Sequence, residues 1–453
     1  MIRRLVLPAL LALSACAAPE VTGRLSSAPA ALPPMKTFAS PRVRAPSRSN
    51  AAIARDFMEL AFRLESGRQL PVLSRFEGPV TVRVTGSPST SLYTDLDRLI
   101  DRLRREAGID ISRVPRSETA SITIEVISRA QLQRVVPQAA CFVVPRVTSW
   151  NEYRMNRRNS LTDWTTLKVR DRMAIFLPGD VSPQEVRDCL HEEIAQALGP
   201  VNDLYRLPDS VFNDDNFHTV LTGFDMLILR AFYDPSLRSG MTEAQVAQRL
   251  PAILNRLNPR GRWGSTGASR PSTNEWEDAI ETAIGQNVTP ARRQAAARRA
   301  VSIAQQRGWN DNRLGFSLFV LGRVSLGTSS ETALGAFLES GKVYARSSET
   351  ELQAAHVAMQ LAAFSLASNQ PQTAIELVDR HIGPVAASEN AALLSTMLMI
   401  KAEALETLGR SAEAEVVRLD SLGWARYGFG SDSNVRRRAA EIAALRPRTS
   451  RGS

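Results

Sequence analysis

The stretch Asp188 to Asp203, DCLHEEIAQALGPVND, decides how this chain is read. It lies in a helix with strong boundary signals. Ser182 suits the N-cap, Pro183 fits a first turn that needs no amide donor, and Glu185 stands at the capping-box position. At the other end Gly199 is expected in the left-handed C′ conformation, and Pro200 forbids continuation. Val186, Leu190, Ile194 and Ala197/Leu198 form the apolar stripe. Glu192 and Gln196, at i and i+4, share a face with Glu193 beside them, so a helix that packs as core also carries carboxylate and amide groups.

Working outward, the preceding sequence mixes helix and strand. IARDFMELAFRL, from Ile53, is amphipathic, and PVTVRVTG, from Pro79, alternates with period two like a half-buried strand. LYTDLDRLIDRLRREAG comes next, with Leu92, Leu96, Leu99, Ile100 and Leu103 on one face and Gly108 as a stop. SITIEVIS, CFVVPR and the longer WTTLKVRDRMAIFLP then read as strands. The order α-β-α-β-β-β leading into the 183–198 helix predicts an α+β domain over 51–258. Thr222 and Asp225 open a further helix, and TEAQVAQRLPAILNRL closes the domain.

The 453 residues exceed one compact core, so a second folded unit is expected. Residues 259–286, rich in Gly, Ser, Pro and Arg, read as a linker. Beyond it, from 287 to 453, helical segments recur with turns at Gly327, Asn369 and Gly409, ending in a basic tail. Spacing near forty residues suits stacked helix pairs and is long for tetratricopeptide repeats of about 34, which these segments nonetheless resemble in degenerate form. Each pair buries its apolar face only against its neighbours, and such stacks offer a surface for a protein or peptide partner.

The N-terminus, MIRRLVLPALLALSAC, has Arg3 and Arg4, an apolar run from Leu5 to Leu13 and then small residues, too short for an ordinary membrane span. Leu13-Ser14-Ala15-Cys16 resembles the lipobox of bacterial lipoproteins, which implies a signal peptide over 1–16 and lipidation of Cys16. Ala17 comes next, without the Asp that favours inner-membrane retention, so a periplasm-facing protein anchored to the outer membrane of the cell envelope is expected. Residues 17–50, rich in Ala, Pro, Ser and Arg without periodicity, read as a disordered tether. In an oxidising compartment Cys141 and Cys189 are a disulfide candidate; the alternative is two small buried residues.

Net charge is +10, but the lysines number only Lys36, Lys168, Lys342 and Lys401, and the Arg clusters ARRQAAARRA and NVRRRAAEIAALRPRTSR read as solvated helix faces or ends. No zinc-knuckle spacing, aromatic-basic platform or phosphate loop accompanies them, so no nucleic-acid partner is expected.

The 183–198 helix and the segment after it resemble a metzincin-like zinc peptidase, a zincin fold, in degenerate form. Zincins carry H-E-x-x-H on a helix, two imidazoles for zinc and a glutamate as general base. With Gly199 on the metzincin glycine, Glu192 and Gln196 take the histidine positions, Glu193 the general base and Asn202 the third ligand, while Phe212 replaces the Met of the Met-turn. A frame shifted by one begins at His191 and puts Ala195 on the second histidine. The longer pattern Glu192, Glu193, Gln196, Gly199, Asn202, Asp203, Ser210, Phe212, Asn213, Asp214, Asp215, Leu221, Thr222, Asp225 is similar to that of an uncharacterised family of bacterial secreted and lipid-anchored proteins, which has no assigned reaction.

Amides compete poorly for zinc, so no metal and no cofactor is expected. An alternative set, with Asp203, Asn213, Asp214, Asp215 and His218 approaching Glu192, Glu193 and Gln196 through the loop, would suit a hard cation or acid/base work. Against it stands the reading that Asn213, Asp214 and Asp215 only supply turn and capping groups. His191, His218, His356 and His381 are never at i, i+4 with each other, which favours structural or surface roles. The expectation is an α+β zincin-like domain followed by an all-α repeat domain, a non-catalytic binding protein, with a hydrolase using Glu193 as the alternative.

Overall fold

A computed structural model describes residues 31–38, 44–263 and 271–447. The leader with Cys16, most of the tether and residues 448–453 of the basic tail lie outside the described residues. The described chain falls into an α/β unit of residues 44–181 and 185–263 and a helical unit built mainly from 31–38 and 271–447. Among the described residues no helix is long and apolar enough to cross a membrane.

The α/β unit runs α1 (Asn50–Phe62), β1 (Val80–Gly86), α2 (Thr90–Glu106), β2 (Ile111–Arg113), β3 (Ile122–Ile127), α3 (Arg129–Gln133), β4 (Phe142–Pro145), α4 (Trp150–Asn156), β5 (Met173–Pro178), α5 (Pro183–Leu198), α6 (Gly223–Phe232) and α7 (Glu243–Leu257). The five strands form one sheet in the order β2-β1-β3-β5-β4. All neighbours are parallel except β4, which runs antiparallel to β5 with Val143 opposite Ile175. β5 is buried at every position, as a strand covered on both faces must be. Val82, Ile124, Ile175 and Val143 point into the main core with α1, α2, α5 and α6. Phe142, Val144 and Phe176 point the other way, into a smaller core with Leu132, Trp150 and Tyr153. There the Trp150 ring meets Phe176 edge-on at 5.1 Å and Tyr153 lies 5.1 Å from Phe142.

Four elements differ from the sequence expectation. β2 is only three residues long, too short to show alternation, and α3 and α4 are one to two turns each. The stretch read as one long strand from Trp164 is a 3-10 turn at Trp164–Thr166, then loop, and only Met173–Pro178 joins the sheet.

The end of α5 is closed by long-range donors. The four final carbonyls of a helix have no partner within it. Here Ala195 O accepts from Gly199 N at 3.0 Å, Gln196 O and Ala197 O accept from Arg170 Nη1 at 2.5 and 2.7 Å, and Leu198 O accepts from the Tyr233 hydroxyl at 3.0 Å. Arg170 Nη2 also reaches Gly199 O at 2.5 Å. Burial pushes the Arg170 guanidinium down to about 10, still above neutrality, so a cation sits at the negative end of the helix dipole. Gly199 is therefore not in the left-handed conformation expected of it. It is glycine because a Cβ would stand 2.9 Å from the Phe232 ring.

The helical unit contains α8 (Asn274–Ile284), α9 (Pro290–Gln306), α10 (Asn312–Ser325), α11 (Ser330–Tyr344), α12 (Glu351–Ala367), α13 (Pro371–Ala387), α14 (Ala391–Thr407), α15 (Ser411–Phe429) and α16 (Asp432–Ala443). The helix pairs α10/α11, α12/α13 and α14/α15 turn at the predicted sites, with Asn369 and Gly409 at φ +57° and +74°. The linker expected over 259–286 is interrupted by α8, whose Trp276 is fully buried and donates to Ser317 Oγ at 2.9 Å. Trp276, Ala279, Ile280, Ala283 and Ile284 have helical spacing, which the Gly/Ser/Pro-rich residues before them obscured. The tether reading is also revised: residues 31–38 pack against α15 through Phe38 and Trp424.

Replacing Arg170 with Met should strand buried carbonyls at the end of α5 and destabilise the α/β unit by about 3 kcal/mol. Urea unfolding followed by far-UV circular dichroism measures this, and Arg170→Lys, which cannot span the same acceptors, should recover only part of the loss.

Candidate functional site

The face of α5 singled out in the sequence turns inward. Glu193 and Gln196 have no solvent exposure and Glu192 is half-buried. Cys189, one turn earlier, is bonded to Cys141, the residue before β4, with S–S 2.06 Å and Cα–Cα 6.0 Å. The bond ties the edge strand of the sheet to the helix beneath it.

Among the described residues one group of metal-capable side chains lies close together: donor atoms of Cys141, Glu192 and Glu193 fall within 4.8 Å of one another. The sulfur of Cys141 is consumed by the disulfide, and a disulfide sulfur is a poor ligand. The zinc that the zincin resemblance implies does not fit the remaining residues. Gln196 presents a neutral amide, and Asn202 spends its amide nitrogen on the Glu59 carbonyl of α1 at 3.2 Å. Gathered around Glu192 are no imidazoles and no free thiolates among the described residues.

The loop residues of the long sequence pattern hold the fold. Asp225 is fully buried at the start of α6 and accepts from Ser210 Oγ at 2.5 Å, Val211 N at 3.2 Å and Thr222 N at 2.8 Å. Thr222 returns the bond to Asp225 N and completes a capping box. Asn213 donates to Leu207 O at 2.5 Å and to Asp215 Oδ2 at 2.9 Å, and its Oδ1 accepts from Asp215 N at 3.0 Å. Asp215 accepts from Phe217 N at 3.1 Å, and burial pushes its carboxyl up to about 8 despite these bonds. Phe212, at the Met-turn position, is fully buried. Asp203 and Asp214 are half-buried in the same loop region.

His191 takes a structural position. Its Nδ1 accepts from Leu221 N at 3.2 Å, while Arg102 Nη2 donates to the carbonyl of the same Leu221 at 2.8 Å. The ring is therefore a neutral tautomer with Nε2 protonated. Burial, then the charges of Arg102 and Arg187, hold its pKa well below the ordinary value. Burial likewise holds His218 down to about 4, although it donates to the Pro208 carbonyl.

Beside this interior lies an open cavity of about 270 Å³. Gln196 and Val201 form one wall and the edge strand β4, Phe142 to Val144, another. Tyr153, the loops 64–68 and 157–164, and the charged groups Glu65, Arg68, Arg157, Arg158 and Asp163 complete it. Arg68 pairs with Asp163 at 3.3 Å, whereas Arg157 and Arg158 are exposed at the rim. Sequence reasoning found Gln196 and missed the rest. The rim loops carry no periodicity, and the Arg157-Arg158 pair resembles any solvated basic run.

Residues 50–252 match the family described as "Protein of unknown function (DUF2927)". This span is the α/β unit from the first residue of α1 into α7, so a domain of this uncharacterised family is present. No curated protein and no solved structure matches the chain.

Two outcomes test this geometry. The disulfide closes a loop with a sequence separation of 48, so replacing both cysteines with alanine should cost about 4 kcal/mol in the chain-entropy account, read as a lower urea midpoint with a larger m-value, because the uncrosslinked unfolded chain exposes more surface. His191→Leu should cost about 2 kcal/mol at pH 7 by orphaning the Leu221 N–H. Because His191 stays neutral when folded and takes a proton when unfolded below about 6.5, its contribution is full above that pH and is lost as pH falls. The stability gap between wild type and His191→Leu should therefore shrink from pH 7 to pH 5.

Proposed function

We propose that the chain is a lipid-anchored, periplasm-facing envelope protein whose α/β unit is a non-catalytic, zincin-like domain that holds an extended peptide in the cavity along β4. Lipidation at Cys16 and the periplasmic location rest on the leader sequence and on the Cys141–Cys189 bond, which belongs in an oxidising compartment. The sheet order, with its single antiparallel edge strand next to the strand that leads into α5, supports the zincin-like reading. The repeats of the helical unit serve a protein or peptide partner, as stacked helix pairs commonly do.

The observation that carries the binding reading is Gln196. At the position of a zincin's second histidine, a fully buried amide lines an open cavity beside an edge strand. An edge strand offers main-chain hydrogen bonds in register with an extended ligand. Arg157 and Arg158 at the rim favour a ligand that carries carboxylates.

Titration of the purified full chain with extended acidic peptides tests this. Binding should weaken as salt rises, and Arg157→Glu with Arg158→Glu should lower affinity at least tenfold while leaving the unfolding midpoint unchanged. Equal affinity in the double variant would sink the proposal. The second reading, a hydrolase with Glu193 as general base, draws on a carboxylate buried one turn from Gln196. Cleavage of the bound peptides that disappears in Glu193→Gln would establish that reading instead.

A further inference from the structure

The stretch 31–38 interrupts what the sequence presents as a featureless tether, and it belongs to the helical unit. Pro33 and Pro34 fix their φ angles and remove two amide donors, so this segment is extended before it touches anything. On α15, Asp420, Gly423, Trp424 and Tyr427 fall at i, i+3, i+4 and i+7, a single stripe. The segment meets that stripe group by group. Lys36 N donates to the Gly423 carbonyl at 3.0 Å, and the Pro33 carbonyl accepts from Arg426 Nη1 at 3.0 Å. Phe38 stacks on Trp424 with centroids 4.4 Å apart and planes at 24°, and is buried. Lys36 Nζ pairs with Asp420 and lies 5.6 Å from the centre of the Trp424 ring.

Gly423 makes this approach possible. A Cβ there would stand 3.1 Å from Lys36 Cγ and 3.3 Å from the Pro34 carbonyl oxygen. Glycine inside a helix costs roughly 1 kcal/mol relative to alanine, and its absent side chain leaves the space into which the extended segment settles.

We propose that this stripe of α15 is a peptide-recognition surface and that residues 32–38, Leu-Pro-Pro-Met-Lys-Thr-Phe, occupy it in cis as a strap. The surface reads an extended backbone after two prolines, an ammonium group and an aromatic ring two residues later. Its features are a helix backbone carbonyl, an arginine donor, a carboxylate and an indole face; aromatic faces of this kind receive polyproline-like segments and their flanking cations. Because the ligand is attached to the same chain, a separate protein with the same sequence would have to displace it against a high effective concentration. The strap is independent of the β4 cavity and of any ligand held there.

Trypsin supplies the test, because the Lys36–Thr37 bond is a tryptic site within the strap. In the purified full chain this bond, followed by mass spectrometry, should be cut at least tenfold more slowly than in Gly423→Leu, whose side chain fills the approach while preserving helix propensity. A labelled peptide covering residues 30–40 should bind the Phe38→Ala chain, bind wild type at least tenfold more weakly, and fail on Gly423→Leu, with circular dichroism verifying the fold of each. Equal cleavage in wild type and Gly423→Leu, or equal peptide binding to the Phe38→Ala and Gly423→Leu chains, overturns the proposal. Protection that vanishes on dilution places the strap on a second copy and overturns the cis arrangement.

Discussion

The α/β unit depends on one buried cation. Arg170 lies in the loop before β5 and inserts its guanidinium at the C-terminal end of α5, where it serves Gln196, Ala197 and Gly199 together. A charge in that position is costly to desolvate, as its lowered pKa records. The cost is offset because every helix carbonyl it meets is equally buried and would otherwise lack a donor. The interaction joins the approach to β5 to the helix that carries Glu193 and Gln196, so the position of the candidate site is set by the chain entering the sheet. Arg75 does the same for α6, donating to the carbonyls of Phe232 and Asp234 at 2.7 and 3.1 Å. Neither arginine has a periodic or local signature, because the carbonyls it serves are 26 and 157 residues away at their nearest.

Elements defined by local chemistry were legible. The capping box of Thr222 and Asp225, the period-two pattern of β1, the stripe of α2 and the turns at Asn369 and Gly409 all depend on residues within one or two turns of each other. Elements fixed by tertiary contact were not. β2 exists because Ile111 and Arg113 find partners on β1, and α8 exists in part because Trp276 has Ser317 to bond with. The case of Gly199 shows how a correct boundary can have a different cause: the helix stops where expected, but Arg170 and Phe232 take the role assigned to a left-handed turn.

The long pattern from Glu192 to Asp225 separates into two kinds of residue. Ser210, Thr222 and Asp225 bond together at the start of α6, and Asn213 and Asp215 bond to each other and fix the loop. His191 belongs with them through its bond to Leu221. Spacing alone could not distinguish a cap from a ligand, because Asp and Asn are suited to both roles. Gln196 differs, since it is the one member of the pattern that reaches the wall of the cavity.

That division bears on what kind of site the cavity can be. The wall that Gln196 forms is held along α5, by the Cys141–Cys189 bond in mid-helix and by Arg170 at the helix terminus, so Gln196 has little freedom to move. The rim is different: Arg157 and Arg158 are exposed on a loop outside the core. A rigid amide wall with solvated charge at its edge suits recognition in which the backbone of a ligand is read by fixed groups and its side chains by adaptable ones. It also separates stability from specificity. Under the peptide-binding proposal, changes at Arg157 and Arg158 alter ligand preference without touching the bonds that hold the fold, whereas changes at the Gln196 wall disturb both.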